Sequence, residues 1–308
     1  MSRSPSGLRN GGSFLLLVAL LLAPMARSAT SPLTVTDDLD RIVTLSTPAE
    51  RIVSLAPHVT ENLFEIGVGE RIVGTVSFSD HPPSALSIPR IGGYHQLDLE
   101  RIIALRPDLV VAWHSGNPRA QTERLEHLGL TLYYSEPRAL EDLASSLERL
   151  AVLAGRPEQG RVRAQEVRAG FDRLRERHAA RPPVRVFYQV WDEPLMSVNE
   201  THLIDAVIRL CGGRNIVGHL ESLAPRLDLE AVLAADPEVI VSGGMGEDRP
   251  DWLNDWRRWT GLTAVRRDNL FFIAPSLLQR PTPRILLGAQ QVCDHLETAR
   301  ARRAEDSW

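Results

Sequence analysis

Histidine is the residue type in this sequence with the widest chemical range, and four of the nine histidines fall in loops after predicted strands. They are His58, His81, His95 and His114. A helix-borne metal site would need paired histidines at four-residue spacing or a cysteine–histidine cluster, and neither pattern occurs. Gly-x-Ser-x-Gly and Gly-x-Gly-x-x-Gly motifs are also missing. The sequence therefore predicts neither catalytic residues nor a resident metal, although a histidine of this set could ligate a metal carried by a ligand.

The basic residues exclude further classes of protein. All 35 are arginine, so a phosphate loop ending in Gly-Lys, a Schiff-base lysine and a Ser-x-x-Lys pair cannot occur. The formal net charge is −4, and the arginines are scattered among acids instead of forming a basic stripe. Nucleic acid is therefore not a predicted partner.

Aromatic residues form the second candidate set, because four of them stand at the end of a predicted strand or in the loop after one. They are Phe78, Tyr94, Trp113 and Trp191. Open α/β sheets bind ligands at these edges, where rigid rings can wall a site for a broad apolar molecule. Met196 could extend that surface or merely fill a gap. Packing between domains is the alternative for each ring, and it is favoured for the helically spaced Trp252, Trp256 and Trp259.

An internal repeat indicates how these loops are positioned. DLERIIA at 98–104 and RPDLVV at 106–111 recur as DLEAVLA at 228–234 and DPEVIV at 236–241. Each copy predicts an aspartate N-cap, a short helix that ends before a proline, and a buried strand. The sequence therefore predicts an α/β protein of two Rossmann-like lobes, with the ligand cleft between them.

A long amphipathic helix is predicted between the two copies, at about 157–178. Ala164, Val167, Phe171 and Leu174 share one of its faces. The predicted organisation is a signal peptide at 1–28, a first lobe at 29–155, the connecting helix at 156–182 and a second lobe at 183–308. A single helical connection predicts only modest opening of the cleft.

The N-terminus predicts export. Arg3 and Arg9 precede an apolar run at 14–23 that is too short to span a bilayer, and small residues follow it near Ser28. A cleaved signal peptide and a periplasmic protein are predicted, with an uncleaved anchor as the alternative. Outside the reducing cytosol Cys211 and Cys293 are expected to pair, although two buried thiols remain possible on spacing alone.

Several motifs resemble helical-backbone (class III) substrate-binding proteins, and within them the periplasmic cobalamin-binding family of ABC importers. They are SLAP at 54–57, TE at 60–61, VSFSDHPP at 76–83, LERI at 99–102, PDLV with AW at 107–113, CGG with NI at 211–216, and PRIL with AQQ and Cys293 at 283–293. The resemblance covers about residues 50–296. It implies an importer component that captures cobalamin or a related corrinoid and needs no cofactor of its own.

The resemblance also implies ligand-binding residues. Phe78, Tyr94 and Trp113 correspond to aromatic residues that contact the corrinoid, whereas a further tryptophan of the family falls at Ala224. Trp191, with Met196, could supply that missing wall. A five-residue ligand segment corresponds to Ser276, Leu277, Leu278, Gln279 and Arg280.

Glu100 and Glu230 occupy the same place in the two repeats and correspond to the glutamates by which the family docks on the importer's membrane permease. The alternative is that each merely complements the dipole of its short helix.

Three functions remain open: a monomeric corrinoid-binding protein, a haem or ferric-siderophore binder of the same fold, and an exported α/β enzyme. Siderophores need several converging arginines, and an enzyme needs a nucleophile beside a base. Neither set is evident, so the corrinoid is favoured.

Overall fold

The computed structural model describes residues 31–93, 95–178, 180–243 and 251–305, in which strands alternate with helices. The strands are β1 Leu33–Thr36, β2 Ile42–Leu45, β3 Ile52–Ser54, β4 Ile72–Thr75, β5 Gly92–Gly93, β6 Gln96–Leu97, β7 Leu109–Trp113, β8 Leu132–Ser135, β9 Val184–Gln189, β10 Gly213–Asn215, β11 Val239–Ser242 and β12 Leu270–Phe272. The helices are α1 Pro57–Glu65, α2 Leu99–Ala104, α3 Arg119–His127, α4 Leu140–Leu153, α5 Pro157–His178, α6 Leu203–Leu210, α7 Leu229–Ala235, α8 Asp251–Trp256, α9 Thr263–Arg266, α10 Pro275–Leu278 and α11 Ile285–Glu305. None of the described helices is both long and apolar enough to cross a membrane.

Two four-stranded parallel sheets form the lobes, and they share one topology. The strand orders are β4-β3-β7-β8 and β10-β9-β11-β12, so within each of these sheets the first strand in sequence lies between the second and the third. The sequences of these strands are short apolar runs, because helices cover both faces of a parallel sheet. The predicted two-lobed α/β fold is therefore confirmed.

The repeat extends to side-chain contacts. Arg51 directly precedes β3 and Arg185 is the second residue of β9. Their guanidinium groups donate to the carbonyl oxygens of Leu105 and Asp236, at the ends of α2 and α7. The residue before each proline has a left-handed backbone, with φ of 46° at Arg106 and 43° at Asp236.

The two aspartate caps differ. The Asp98 side chain accepts the backbone N–H of Arg101, as predicted. Asp228 occupies the N-cap position of α7, but its side chain makes no cap hydrogen bond. The predicted aspartate N-cap is therefore present in both copies, and its side chain makes the cap hydrogen bond in the first copy.

The connecting helix α5 packs directly on helices of both lobes. Its predicted apolar face is buried, and Gly160 and Gly170 let it approach closely. A β-carbon placed on Gly160 would lie 2.4 Å from the β-carbon of Ala151, and one placed on Gly170 would lie 2.7 Å from a methyl of Leu286. Because α5 is tightly packed on both sides, it acts as a stiff connector.

One apolar core runs through both lobes. It contains Ile52 and Val111 of the first sheet and Val186 and Val241 of the second. Buried side chains of α4, α5, α6 and α11 link these two groups. A wide opening of the lobes would expose this shared core to water. We therefore expect the cleft to open only modestly. The lobe limits at 29–155 and 183–308 remain a prediction, and the signal peptide at 1–28 lies outside the described residues.

Cys211 and Cys293 form a disulfide, as predicted, with their α-carbons 4.7 Å apart. Cys211 follows α6 and Cys293 lies within α11, and both are fully buried. The bond links α11 to the C-terminal end of α6.

Candidate functional site

Residues that follow the carboxyl ends of the strands meet between the lobes. In the first sheet the order in which strands are added reverses at the border of the parallel strands β3 and β7, where open α/β sheets place ligands. Asn117 joins the loops after these strands, because its side chain accepts the backbone N–H of Trp113 and donates to the carbonyl of Leu55. The first wall of the cleft is thus held by hydrogen bonds and not by packing alone.

A cavity of about 70 Å³ forms the floor of this cleft and is lined by both lobes. Among its lining residues are Trp113, Glu136, Arg138, His202, Leu278 and Gln279. Sites that enclose a drug-sized ligand measure about 300–1,000 Å³. The cavity is therefore too small for a whole macrocycle and can hold only a small part of a large ligand.

Trp113, the last residue of β7, is half-buried at this cavity. The His58 ring meets the indole edge-on, with centroids 5.6 Å apart. Gly116 lies against the indole so closely that a β-carbon there would be 1.9 Å from it. These contacts fix the orientation of the ring.

Phe78 is 66% exposed and has a left-handed backbone, with φ of 65°. Such a conformation is unfavourable for an aromatic residue and persists only where its surroundings enforce it. Buried hydroxyl groups on both sides of the turn do so here: Thr75 bonds Thr60 at 2.7 Å and Ser79 at 2.8 Å. The Phe78 ring is therefore exposed to solvent, and the turn that carries it is fixed by these hydrogen bonds.

Trp191, in the second lobe, is 41% exposed. Its indole N–H donates to the carbonyl of Glu193, and Trp252 packs edge-on against it at 5.8 Å. Met196 is half-buried and pairs with Trp191 through a β-bridge. Of the tryptophan stripe, Trp256 is buried and donates to Gln189, in accordance with a packing role. Tyr94 lies outside the described residues.

The predicted ligand segment divides into two groups. Leu278 and Gln279 line the cavity, and the Gln279 amide nitrogen lies 3.3 Å from the hydroxyl of Tyr188. Ser276 is buried, and Leu277 packs against the core. Only part of this segment therefore lines the cavity.

Arg280 joins the two lobes. Its guanidinium lies 2.8 Å from a carboxylate oxygen of Glu61 and 2.7 Å from one of Asp80, both in the first lobe. Arg284 adds two hydrogen bonds to Glu61, at 2.8 and 2.9 Å. Asn62 donates across the same boundary to the carbonyl of Pro281. The ligand-binding role of Arg280 remains a prediction, but its charge is already neutralised by carboxylates.

We expect Glu61→Gln to lower the free energy of unfolding by about 2–3 kcal/mol, since it leaves two largely buried arginines short of a counter-charge. The Glu61 side chain is 2% exposed, whereas Arg280 and Arg284 keep some contact with water. Urea unfolding of the variant measures the change. Glu158→Gln is the matched control, because its solvent-exposed pair with Arg161 should contribute little to stability. Equal losses in the two variants would contradict the bridging role.

The histidines of the cleft loops do not form a metal site. Within the described parts of the chain no group of three or more candidate ligand side chains comes together. Burial, with the nearby charge of Arg280, lowers the pKa of His58 to about 3. The ring is therefore neutral at physiological pH, and its Nε2 lies 3.3 Å from the hydroxyl of Ser135.

Glu100 and Glu230 are exposed at the second position of α2 and α7. In the described residues neither carboxylate forms an ion pair. Their equivalent placement follows from the shared topology of the lobes.

Glu136, Arg138 and His202 line the cavity but were not predicted. Glu136 could have been found, because it directly follows β8 as Trp113 ends β7. His202 lies just before α6, far from any strand end, and nothing local in the sequence indicates its place.

Two parallel sheets joined by one long helix, with a cleft at their carboxyl ends, define a class of binding protein. The sequence profile of the periplasmic binding protein family matches residues 52–277. The chain therefore belongs to the periplasmic binding protein family.

Its relatives carry a more specific name. The chain is 37% identical to the vitamin B12-binding protein of Vibrio cholerae, over 82% of this chain and 91% of that relative. It is 35% identical to the vitamin B12-binding protein of Vibrio campbellii, over 83% and 92% of the two chains. These likenesses confirm the resemblance found in the sequence.

Solved structures agree with this placement. The periplasmic vitamin B12-binding protein of Vibrio cholerae superposes with a TM-score of 0.76 at 36% identity, covering 82% of this chain and 98% of the other. The periplasmic haem-binding protein of Roseiflexus has a TM-score of 0.71 at 24% identity, covering 82% and 99%. At that identity the second likeness extends to the fold alone.

Proposed function

We propose that this protein is the periplasmic component of an ABC importer, which captures cobalamin or a related corrinoid and delivers it to a membrane permease. The observation that carries the proposal is 37% identity, over most of both chains, to a vitamin B12-binding protein. The protein works as an exported monomer, without catalysis and without a cofactor of its own.

The exposed aromatic rings suit a corrinoid. Its ring system is a broad disc with apolar faces and amide-bearing edges, so rigid aromatic walls and a few polar groups recognise it. Phe78 on the first lobe and Trp191 on the second are both exposed. Since the cavity measures only about 70 Å³, the ring system would lie above it, in the mouth of the cleft.

Charge favours the corrinoid over a ferric siderophore. An anionic siderophore needs cations that are free to converge on it. Arg280 is bound by Glu61 and Asp80, and Arg284 by Glu61. A ligand with neutral amides makes no such demand.

Titration of the purified protein with cyanocobalamin, followed by tryptophan fluorescence, tests the proposal. Trp113 and Trp191 should be quenched as one ligand binds per chain. Unchanged fluorescence together with no change in a parallel equilibrium dialysis would refute corrinoid binding.

We expect Trp191→Ala and Phe78→Ala each to weaken cobalamin binding by about 2 kcal/mol, or roughly thirtyfold. An anchor ring that the ligand desolvates loses its whole contact area on truncation. Trp259→Ala is the control, because that partly buried tryptophan belongs to the separate stripe on the second lobe. If both variants bind cobalamin as the parent does, the corrin ring does not rest on Phe78 and Trp191.

Docking on the permease is assigned to Glu100 and Glu230. One exposed carboxylate at the same place in each lobe suits a two-fold symmetric partner that carries basic residues. Charge-assisted pairs of this kind steer association and weaken with salt.

A further inference from the structure

Polar side chains line the cavity on the cleft floor, and the proposed contacts with the aromatic rings give them no role. Glu136 and Arg138 come from the loop after β8, and His202 and Gln279 come from the opposite lobe. Trp113 supplies apolar surface beside them. The cavity is therefore small and is lined by hydrogen-bonding side chains from both lobes.

His202 is a hydrogen-bond donor in this cavity. Its Nδ1 accepts the backbone N–H of Ile204 at 3.1 Å, as the N-cap of α6. Burial, with the charge of Arg138, lowers the pKa of His202 to about 4, so the ring is neutral at physiological pH. Since Nδ1 is an acceptor, the single proton of the neutral ring must sit on Nε2.

The remaining groups supply acceptors and a balanced charge. One carboxylate oxygen of Glu136 accepts the backbone N–H of Ser115 at 2.9 Å, and the other lies 3.9 Å from Nε of Arg138. Gln279 uses its amide nitrogen toward Tyr188, which leaves its carbonyl oxygen as an acceptor. The nearly buried negative charge of Glu136 is thus offset by the more exposed Arg138.

We propose that this cavity is an amide subsite, which takes one primary amide side chain of the corrin ring and rejects a carboxylate at that position. The inference rests on the proposed function. An amide can accept from His202 and Arg138 through its oxygen and donate to Glu136 and Gln279 through its nitrogen. A carboxylate has no N–H to donate and would meet the charge of Glu136.

The size of the cavity agrees with this assignment. Its volume of about 70 Å³ exceeds what one water needs, about 10–15 Å³ on the same measure, and so admits a short side chain. The subsite would also make the protein bind corrinoids more tightly than haem, because the peripheral polar groups of haem are carboxylates.

The test compares cyanocobalamin with the monocarboxylic acids in which each peripheral amide is hydrolysed in turn. The parent should bind one of these acids at least about thirtyfold more weakly than cyanocobalamin, because one amide alone enters the cavity. Glu136→Gln should narrow that gap to about threefold, since glutamine keeps the bond to Ser115 and removes the charge. Arg138→Gln should widen it.

Glu158→Gln is the remote control and should leave the gap unchanged. Circular dichroism and the melting temperature establish that each variant is folded. The inference is overturned if every acid binds the parent within about threefold of cyanocobalamin, or if Glu136→Gln leaves the gap as it was. Failure of the parent to bind cyanocobalamin at all would overturn the proposed function, and this inference with it.

Discussion

Reversing both rim charges, Glu100→Arg with Glu230→Arg, should abolish corrinoid uptake in cells while the cobalamin affinity of the purified protein stays at the parent value. Both residues are exposed on short helices, away from the residues that line the cavity. Two arginines facing a basic partner replace attraction with repulsion at both contact points, and like charges across an interface cost several kcal/mol. Uptake of labelled cobalamin and calorimetric binding measure the two quantities.

The neutral double variant, Glu100→Gln with Glu230→Gln, distinguishes docking from the helix-dipole alternative. Docking predicts reduced uptake that depends less on salt than uptake by the parent, because the neutral variant has lost the charge pairs that salt screens. The dipole alternative predicts normal uptake and a loss of stability of about 0.3–1 kcal/mol for each helix. Normal uptake by the charge-reversed protein would refute the docking proposal.

Removing the disulfide should produce the largest change in stability. We expect Cys211→Ala with Cys293→Ala to lower the free energy of unfolding by about 4–5 kcal/mol. The cysteines stand 82 positions apart, so without the bond the unfolded chain gains the entropy of a long open loop. Urea unfolding should show a lower midpoint, with a steeper slope because the uncrosslinked chain exposes more surface.

Parent protein refolded under reducing conditions is the control and should match the double variant. Both sulfurs are fully buried, so reductant added to the native protein should act slowly. A loss below about 1 kcal/mol in both samples would contradict a stabilising role for the bond.

Most of the fold was predictable because its cues are local. The repeated strings around Glu100 and Glu230 each place a helix and a buried strand, and two copies imply two similar lobes. The apolar face of α5 follows from helical spacing in the same way. Local cues also mislead: Asp228 has the right residue type for a bonded cap and does not make the bond.

The site was less predictable because its contacts are distant in sequence. Arg280 meets Glu61 across 219 positions, and no pattern near either residue indicates which of the many acids it will meet. The exposure of Phe78 and Trp191 is likewise a property of the folded chain that no local pattern indicates. His202 joins the cavity only because α6 begins opposite β8.

Calorimetric titration of one preparation with cyanocobalamin, cobinamide, haem and a ferric hydroxamate siderophore measures directly which ligand the protein prefers. We expect one cobalamin to bind per chain, at least about a hundredfold more tightly than haem or the siderophore, a difference of ~2.7 kcal/mol. Cobinamide should bind as well, because it keeps the amide-edged ring. Tighter binding of haem or the siderophore than of either corrinoid would refute the proposed role in corrinoid capture.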